Sequence, residues 1–85
     1  MLSSKHRRTL EQIFERPTRP DIRWADTESL FRALGAEIRQ GSGSRVRVAL
    51  NGVRMTFHEP HPRPVLIRKA VESIRRFLKE AGIRP

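Results

Sequence analysis

The chain has 85 residues and no cysteine, and its 18 basic residues outnumber its 9 acidic residues to give a formal net charge of +9. This length suits one small domain, and the lack of cysteine excludes disulfides and thiolate metal sites. The positive charge favours a polyanionic partner such as nucleic acid. An acidic protein partner and a merely solvated arginine-rich face are the alternatives.

Other classes of partner are not expected. The chain has three histidines and no HExxH motif, so no metal and no cofactor is predicted. No apolar run approaches the roughly 20 residues that span a membrane, and the sequence MLSSKHRRTL lacks a signal-peptide core. We therefore expect a cytoplasmic protein without a membrane contact. We expect one domain, in which residues 1–20 form an N-terminal helix with a proline-containing linker and residues 21–85 form the core.

The first predicted element is a helix over residues 4–15, because Leu10, Ile13 and Phe14 recur at helical spacing. Pro17 ends it. The linker is followed by a short extended segment that contains Ile22 and Trp24.

A second helix is predicted over residues 27–34, with Asp26 as its N-cap and Gly35 just beyond its end. Residues 36–40 then alternate between apolar and polar side chains with Ile38 directed inward, which indicates a first strand.

The dipeptide Asn51-Gly52 separates two alternating runs, which is the strongest local signal for a β-hairpin. A two-residue turn there pairs Leu50 with Val53 and, at the far end, Arg45 with His58. The predicted inward face consists of Val46, Val48, Leu50, Val53, Met55 and Phe57. The predicted outward face carries Arg45, Arg47, Arg54, Thr56 and His58.

Three prolines between residues 58 and 64 cannot continue a central strand, and Pro64 suits the first position of a last helix that Gly82 ends. Its predicted apolar side is Ile67, Ala70, Val71, Ile74, Phe77, Leu78 and Ala81. Its predicted charged side is Arg68, Glu72, Arg75, Arg76 and Lys79. Trp24 and Phe31 are predicted to lie in the core.

The element order is helix, helix, strand, strand, strand, helix. This order predicts an α+β two-layer domain in which a three-stranded antiparallel sheet packs against the helices. Double-stranded RNA-binding domains share the order of three strands between helices, although order alone defines no function.

The exposed hairpin face suggests RNA chemistry. Cleavage through the 2′-hydroxyl needs a base, cationic groups for the phosphate and an acid for the leaving oxygen, and it can proceed without a metal. Histidine titrates in the required range, so His58 is the first candidate catalytic residue and His61 the second. Both can instead be ordinary surface histidines, and His6 is predicted to be solvated. The predicted RNA-binding residues are Arg45, Arg47, Arg54, Arg63, Arg68 and Arg75.

The segments TESLFRALGAEI, GSRVRVALNGVRMTFHEPHPRP and FLKEAGI, in this order, resemble the HicA family of bacterial toxins. The likeness covers about residues 22–83. It implies a fold like that of double-stranded RNA-binding domains, an endoribonuclease (mRNA interferase) activity on mRNA, and a HicB-like antitoxin as protein partner.

One departure from the family pattern bears on catalysis. The resemblance implies a catalytic histidine directly after the Gly-Ser bend, but Arg45 follows Gly43-Ser44. Arginine does not act as a base near neutral pH. Either His58, opposite Arg45, has taken the role, or the chain is a non-catalytic module that binds RNA or an antitoxin. A DNA-binding partner of a repressor is a third alternative.

Overall fold

The computed structural model describes residues 2–61 and 63–85. It has the predicted order of elements and the predicted α+β architecture, with a three-stranded antiparallel sheet and helices packed on one side. The elements are α1 (Ser4–Phe14), α2 (Trp24–Ala33), β1 (Glu37–Gln40), β2 (Arg45–Leu50), β3 (Val53–His58) and α3 (Arg68–Glu80).

The predicted hairpin register is confirmed. Leu50 pairs with Val53 at the turn, and Arg45 pairs with His58 at the other end. Asn51 has a φ of 50° and Gly52 a φ of 83°, which are the two positive angles that a type I′ turn needs. β1 pairs with β2 on the other side, so β2 is central and β1 and β3 are the edges of the sheet.

The inward side chains of the sheet and the apolar sides of the helices form one core. Phe31 of α2 is at its centre, and its ring stacks on Phe57 at 5.9 Å between centroids. Trp24 and Phe77 meet the same ring edge to face, as aromatic pairs prefer. The prediction that Trp24 and Phe31 are core residues is therefore confirmed. Leu10 and Ile13 of α1 belong to this core as well.

The start of α2 differs from the prediction. The helix begins at Trp24, and Asp26 lies in its first turn, so Asp26 is not the N-cap. The residue before the helix, Arg23, provides no side-chain cap, and the backbone N–H of Trp24 instead donates to the C=O of Pro64 at 3.0 Å. This distant backbone acceptor allows the helix to begin three residues earlier than local capping rules predict.

The start of α3 was also predicted wrongly. The helix begins at Arg68 and not at Pro64, because the preceding residues are extended. Val65 forms an antiparallel bridge with Arg23, and the N–H of Leu66 donates to the C=O of Ile22 at 2.8 Å. Ile67, predicted to face the core, is consequently 69% exposed.

Gly35 and Gly82 end α2 and α3 as predicted. Both have positive φ, near 80–90°, which glycine adopts without the steric cost of a side chain. The end of α3 has a second support, because the Asn51 side-chain amide donates to the C=O of Ala81 at 2.8 Å. The hairpin turn thus also caps a helix. No helix in the described ranges is long and apolar enough to cross a lipid bilayer.

Candidate functional site

The outer face of the sheet, opposite the core, is rich in arginine. Alternation along the three strands places four arginines and one glutamate there, because residues that are direct partners in the register share a face. The outer face consists of Glu37, Arg39, Arg45, Arg47, Ala49, Arg54, Thr56 and His58.

Two of these arginines are direct neighbours. Arg39 on β1 lies opposite Arg47 on β2, and like charges in such cross-strand positions destabilise a sheet. Arg39 has an ion pair with Glu37 at 3.3 Å. Arg47, and likewise Arg45 and Arg54, form no ion pair with residues 2–61 or 63–85. The outer face therefore carries positive charge that the described residues leave uncompensated.

At one end of this face Arg45 lies directly opposite His58, and both are exposed. The neighbouring pair, Arg47 and Thr56, is also exposed. The register of the hairpin thus puts one imidazole beside two guanidinium groups. A phosphate group bound between the guanidiniums would lie next to this imidazole.

A groove of about 940 Å³ follows the free edge of β3. Its lining is mostly apolar, and it includes His58, His61 and Ser44. Arg63 and Arg68 also line the groove and are exposed. The predicted site residues therefore fall into two neighbouring areas, which are the outer face and this groove, and His58 belongs to both.

Arg75 does not belong to either area. It was predicted to lie on the charged side of the last helix and to bind RNA, but it is only 5% exposed. Its guanidinium donates to the C=O of Ile13 at 2.9 Å, to the C=O of Glu15 at 3.1 Å and to the hydroxyl of Thr18 at 2.9 Å. These bonds occupy Arg75 at the end of α1, so it is not available to a phosphate.

His6 also differs from the prediction of a solvated residue. It is half-buried, and its Nδ1 lies 2.9 Å from the Ser3 hydroxyl and its Nε2 lies 2.7 Å from the Ser29 hydroxyl. The imidazole thereby links the N-terminus of α1 to α2. Ser3 is the N-cap of α1 and accepts a hydrogen bond from the N–H of His6. The role visible here is structural.

Arg39 was not among the residues predicted for the basic face. Its alternation with the inward Ile38 was visible, but its position opposite Arg47 depends on the register between β1 and β2. The bend between those strands has four residues, and it contains no Asn-Gly turn that would fix the pairing. For metals, no group of three or more His, Asp or Glu side chains in residues 2–61 and 63–85 is arranged to hold an ion.

The fold and the exposed arginines of the sheet are those of a small basic α+β protein, a class expected to bind a polyanion. A comparison with protein families gives a more specific result: the family described as "HicA toxin of bacterial toxin-antitoxin" matches residues 24–83. The chain belongs to the HicA family, and it is a toxin of the toxin–antitoxin type. This family implies an antitoxin of the HicB type as partner. No curated protein and no solved structure gives a significant match.

Proposed function

We propose that this toxin is an endoribonuclease that binds mRNA on the outer face of its sheet and cleaves it with His58 as general base. The observation that carries the proposal is the uncompensated positive charge of the outer face around Arg47. At one end of this face an exposed histidine, His58, lies opposite Arg45. Opposed arginines weaken a sheet on their own. Phosphate groups relieve this repulsion, since each can accept two hydrogen bonds from one guanidinium.

In the proposed reaction, the 2′-hydroxyl oxygen of the RNA attacks the neighbouring phosphorus. The imidazole of His58 takes the proton of that hydroxyl, the O2′–P bond forms, and the P–O5′ bond breaks. The leaving O5′ receives a proton from His61 or from water. The products are a 2′,3′-cyclic phosphate and a 5′-hydroxyl end. Arg45 and Arg47 support the additional negative charge on the phosphorane.

The test is a comparison of purified wild-type protein with His58→Gln on a labelled mRNA. General acid–base catalysis contributes about 10²–10⁴-fold, so the variant should cleave slower by that factor. It should bind RNA as the wild type does, because an amide replaces the imidazole on an exposed position. His61→Gln should show a smaller loss, because water can replace His61 as the proton donor. A His58→Gln protein that cleaves at the wild-type rate would exclude His58 as the base.

A second candidate function is a non-catalytic module that binds RNA or the antitoxin. The observation in its favour is Arg45, which stands directly after Gly43-Ser44 where the family resemblance implies a histidine. Intact RNA after incubation with the wild type, together with tight and salt-sensitive binding, would select this function. Preference for duplex DNA over RNA in the same assay would instead favour a DNA-binding role.

A further inference from the structure

The free edge of β3 is not protected. Pairing in the hairpin alternates, so every second residue of β3 directs its backbone N–H and C=O away from β2. The bond from the N–H of Glu59 to the C=O of Ser44, at 2.8 Å, fixes which set points inward. The outward set is Arg54, Thr56 and His58, and in residues 2–61 and 63–85 their backbone groups bond to no other element. Such an edge is a template for another strand.

The groove beside this edge has the shape and chemistry of a site for an extended peptide. One wall is β3, and the other is the first two turns of α3 with the extended segment before it. The groove floor is lined by Met55, Phe57, Leu66, Ala70 and Ile74. Ile67 stands on its rim and is the large hydrophobic residue that is exposed in the described part of the chain. An apolar floor beside an open strand edge is how peptide-binding domains that add a strand are built.

The rim of the groove is basic. Arg63, Arg68 and His61 are exposed basic residues of its lining, and Glu59 is the acidic residue among the lining side chains. The net charge of +9 also opposes the pairing of β3 with a second copy of this chain. A suitable occupant therefore has alternating apolar residues for the floor and acidic residues for the rim.

The other edge of the sheet lacks these features. β1 has only four residues, and it carries Glu37 and Arg39 as an ion pair. Short, charged edge strands are the usual protection against unwanted pairing. The two edges thus differ in the way expected if one of them is reserved for a partner.

We propose that the groove between β3 and α3 binds an extended, acidic segment of the antitoxin partner, which adds a fourth strand to the sheet at β3. The toxin family supplies the kind of partner, and the inference rests on the proposed function only for the competition with RNA at His58. An extended peptide is favoured over a nucleobase because it supplies donors and acceptors along the whole edge, with the spacing of the free backbone groups. The added strand runs beside His58, so it competes with RNA at the proposed catalytic end.

The probe is a synthetic peptide, acetyl-EVEIEVE-amide, added to the isotope-labelled full chain at up to about 1 mM, a concentration at which weak complexes are populated. NMR should show shift changes and slower hydrogen exchange at the amides of Arg54, Thr56 and His58, with shifts at the methyl groups of Ile67. A peptide in which the two outer valines are replaced by proline should not produce this pattern, because proline lacks the N–H donor.

Two variants locate the binding. Thr56→Pro removes an outward donor without removing a bond to β2, and Thr56→Val is its control because it keeps the N–H. Should Thr56→Pro fail to fold, Ile67→Glu provides the same test from the exposed rim, with Gln40→Glu on the opposite edge as the charge-matched control. Both Thr56→Pro and Ile67→Glu are expected to weaken peptide binding at least tenfold, while Ile67→Glu retains the RNA cleavage rate of the free wild type.

The outcomes distinguish this proposal from the proposed function. Peptide-induced shifts limited to the outer-face arginines, or no shift at all, would overturn the docking proposal and leave the RNA chemistry unaffected. Groove amides that respond to an oligouridine and not to the peptide would assign the groove to RNA instead. Peptide binding at the edge by a protein that cleaves no RNA would support the docking site and reject the nuclease.

Discussion

On the outer face of the sheet, Arg45, Arg47 and Arg54 are exposed and have no acidic partner in the described part of the chain. At the junction of α1 and α3, Arg75 is buried and also has no carboxylate partner among its hydrogen bonds. The same side chain thus occurs in two opposite settings, one with its charge open to solvent and one with its charge enclosed.

The difference lies in the acceptors. Arg75 bonds to backbone carbonyls at the C-terminal end of α1, where the helix dipole is negative and where carbonyls lack helical partners. The buried cation and the free carbonyls therefore satisfy each other. Arg45, Arg47 and Arg54 have no such acceptors in the described residues, so their hydrogen-bonding capacity remains for a ligand. Burial and partners, and not residue type, decide whether a basic residue holds the fold or presents charge.

The largest effect predicted from this comparison is the loss of the Arg75 contacts. Arg75→Ala should lower the free energy of unfolding by about 3 kcal/mol, because it deletes charge-assisted hydrogen bonds and leaves the buried C=O of Ile13 without its donor. Urea denaturation followed by circular dichroism measures this change. The free energy of unfolding of Arg75→Lys should lie between those of the wild type and Arg75→Ala. Lysine keeps the charge, but its ammonium group lacks the planar set of donors that reaches all three acceptors.

Arg76→Ala is the matched control for Arg75, because the neighbouring side chain is exposed on the same helix. Its free energy of unfolding should stay within about 0.5 kcal/mol of the wild type. A loss below about 1 kcal/mol in Arg75→Ala would mean that solvent replaces these bonds, and that the two arginine settings differ less than their geometry indicates.

A smaller effect is expected at the other side chain that caps a helix C-terminus. Asn51→Gly keeps a residue that accepts positive φ but removes the neutral bond to the C=O of Ala81. The free energy of unfolding should fall by about 1 kcal/mol, since neutral hydrogen bonds contribute less than charged ones. Asn51→Ala should lose more, because it also strains the turn. Equal losses in both variants would show that the cap, and not the turn, dominates at this position.

Substitutions on the outer face should leave stability almost unchanged. Arg47→Gln is expected to alter the free energy of unfolding by less than about 0.5 kcal/mol, and any change should be stabilising because the repulsion from Arg39 is lost. Its effect should appear in RNA binding, where the slope of log affinity against log salt should fall by about 0.7 for one phosphate contact on a single strand.

Arg8→Gln, an exposed position on α1, is the control for Arg47. It removes the same charge from the chain but should leave the salt slope for RNA unchanged. Equal slopes for both variants would indicate that RNA responds to the total charge of the protein and not to the outer face.

The hairpin could be predicted in register because its information is local. Asn51-Gly52 specifies the turn, and a slip by one residue would bury Arg45 and Arg47. Positions that depend on distant backbone could not be predicted in this way. Trp24 begins a helix because the C=O of Pro64, far along the chain, accepts its N–H.

The burial of Arg75 could have been predicted in part from the sequence. Val71, Ile74 and Leu78 lie three to four residues from one another, and Arg75 falls on the same stripe as these buried residues. Its charge led to its assignment to the outer side of the helix. What the sequence could not supply was the acceptor, because the end of α1 reaches Arg75 only through tertiary packing. The arginines of the hairpin were placed correctly, since strand alternation needs no such partner.

The smallest predicted effect concerns an arginine that is neither free nor buried. Arg19 donates from Nε to Asp21 at 3.0 Å and from a terminal nitrogen at 3.1 Å. These hydrogen bonds lower the pKa of Asp21, with a further contribution from the charge of Arg19 and partial opposition from desolvation. Because the folded-state pKa is lowered, the pairing stabilises the protein above the ordinary carboxyl pKa, and this contribution is lost as pH falls through the lowered value.

In an NMR titration of the carboxyl carbon, Arg19→Gln should raise the pKa of Asp21 toward its ordinary value, whereas Arg16→Gln, at an exposed position nearby in the sequence, should not. An unchanged pKa of Asp21 in Arg19→Gln would show that solvent screens this exposed pair. The difference between arginines would then reduce to two settings, the exposed outer face of the sheet and the buried position of Arg75.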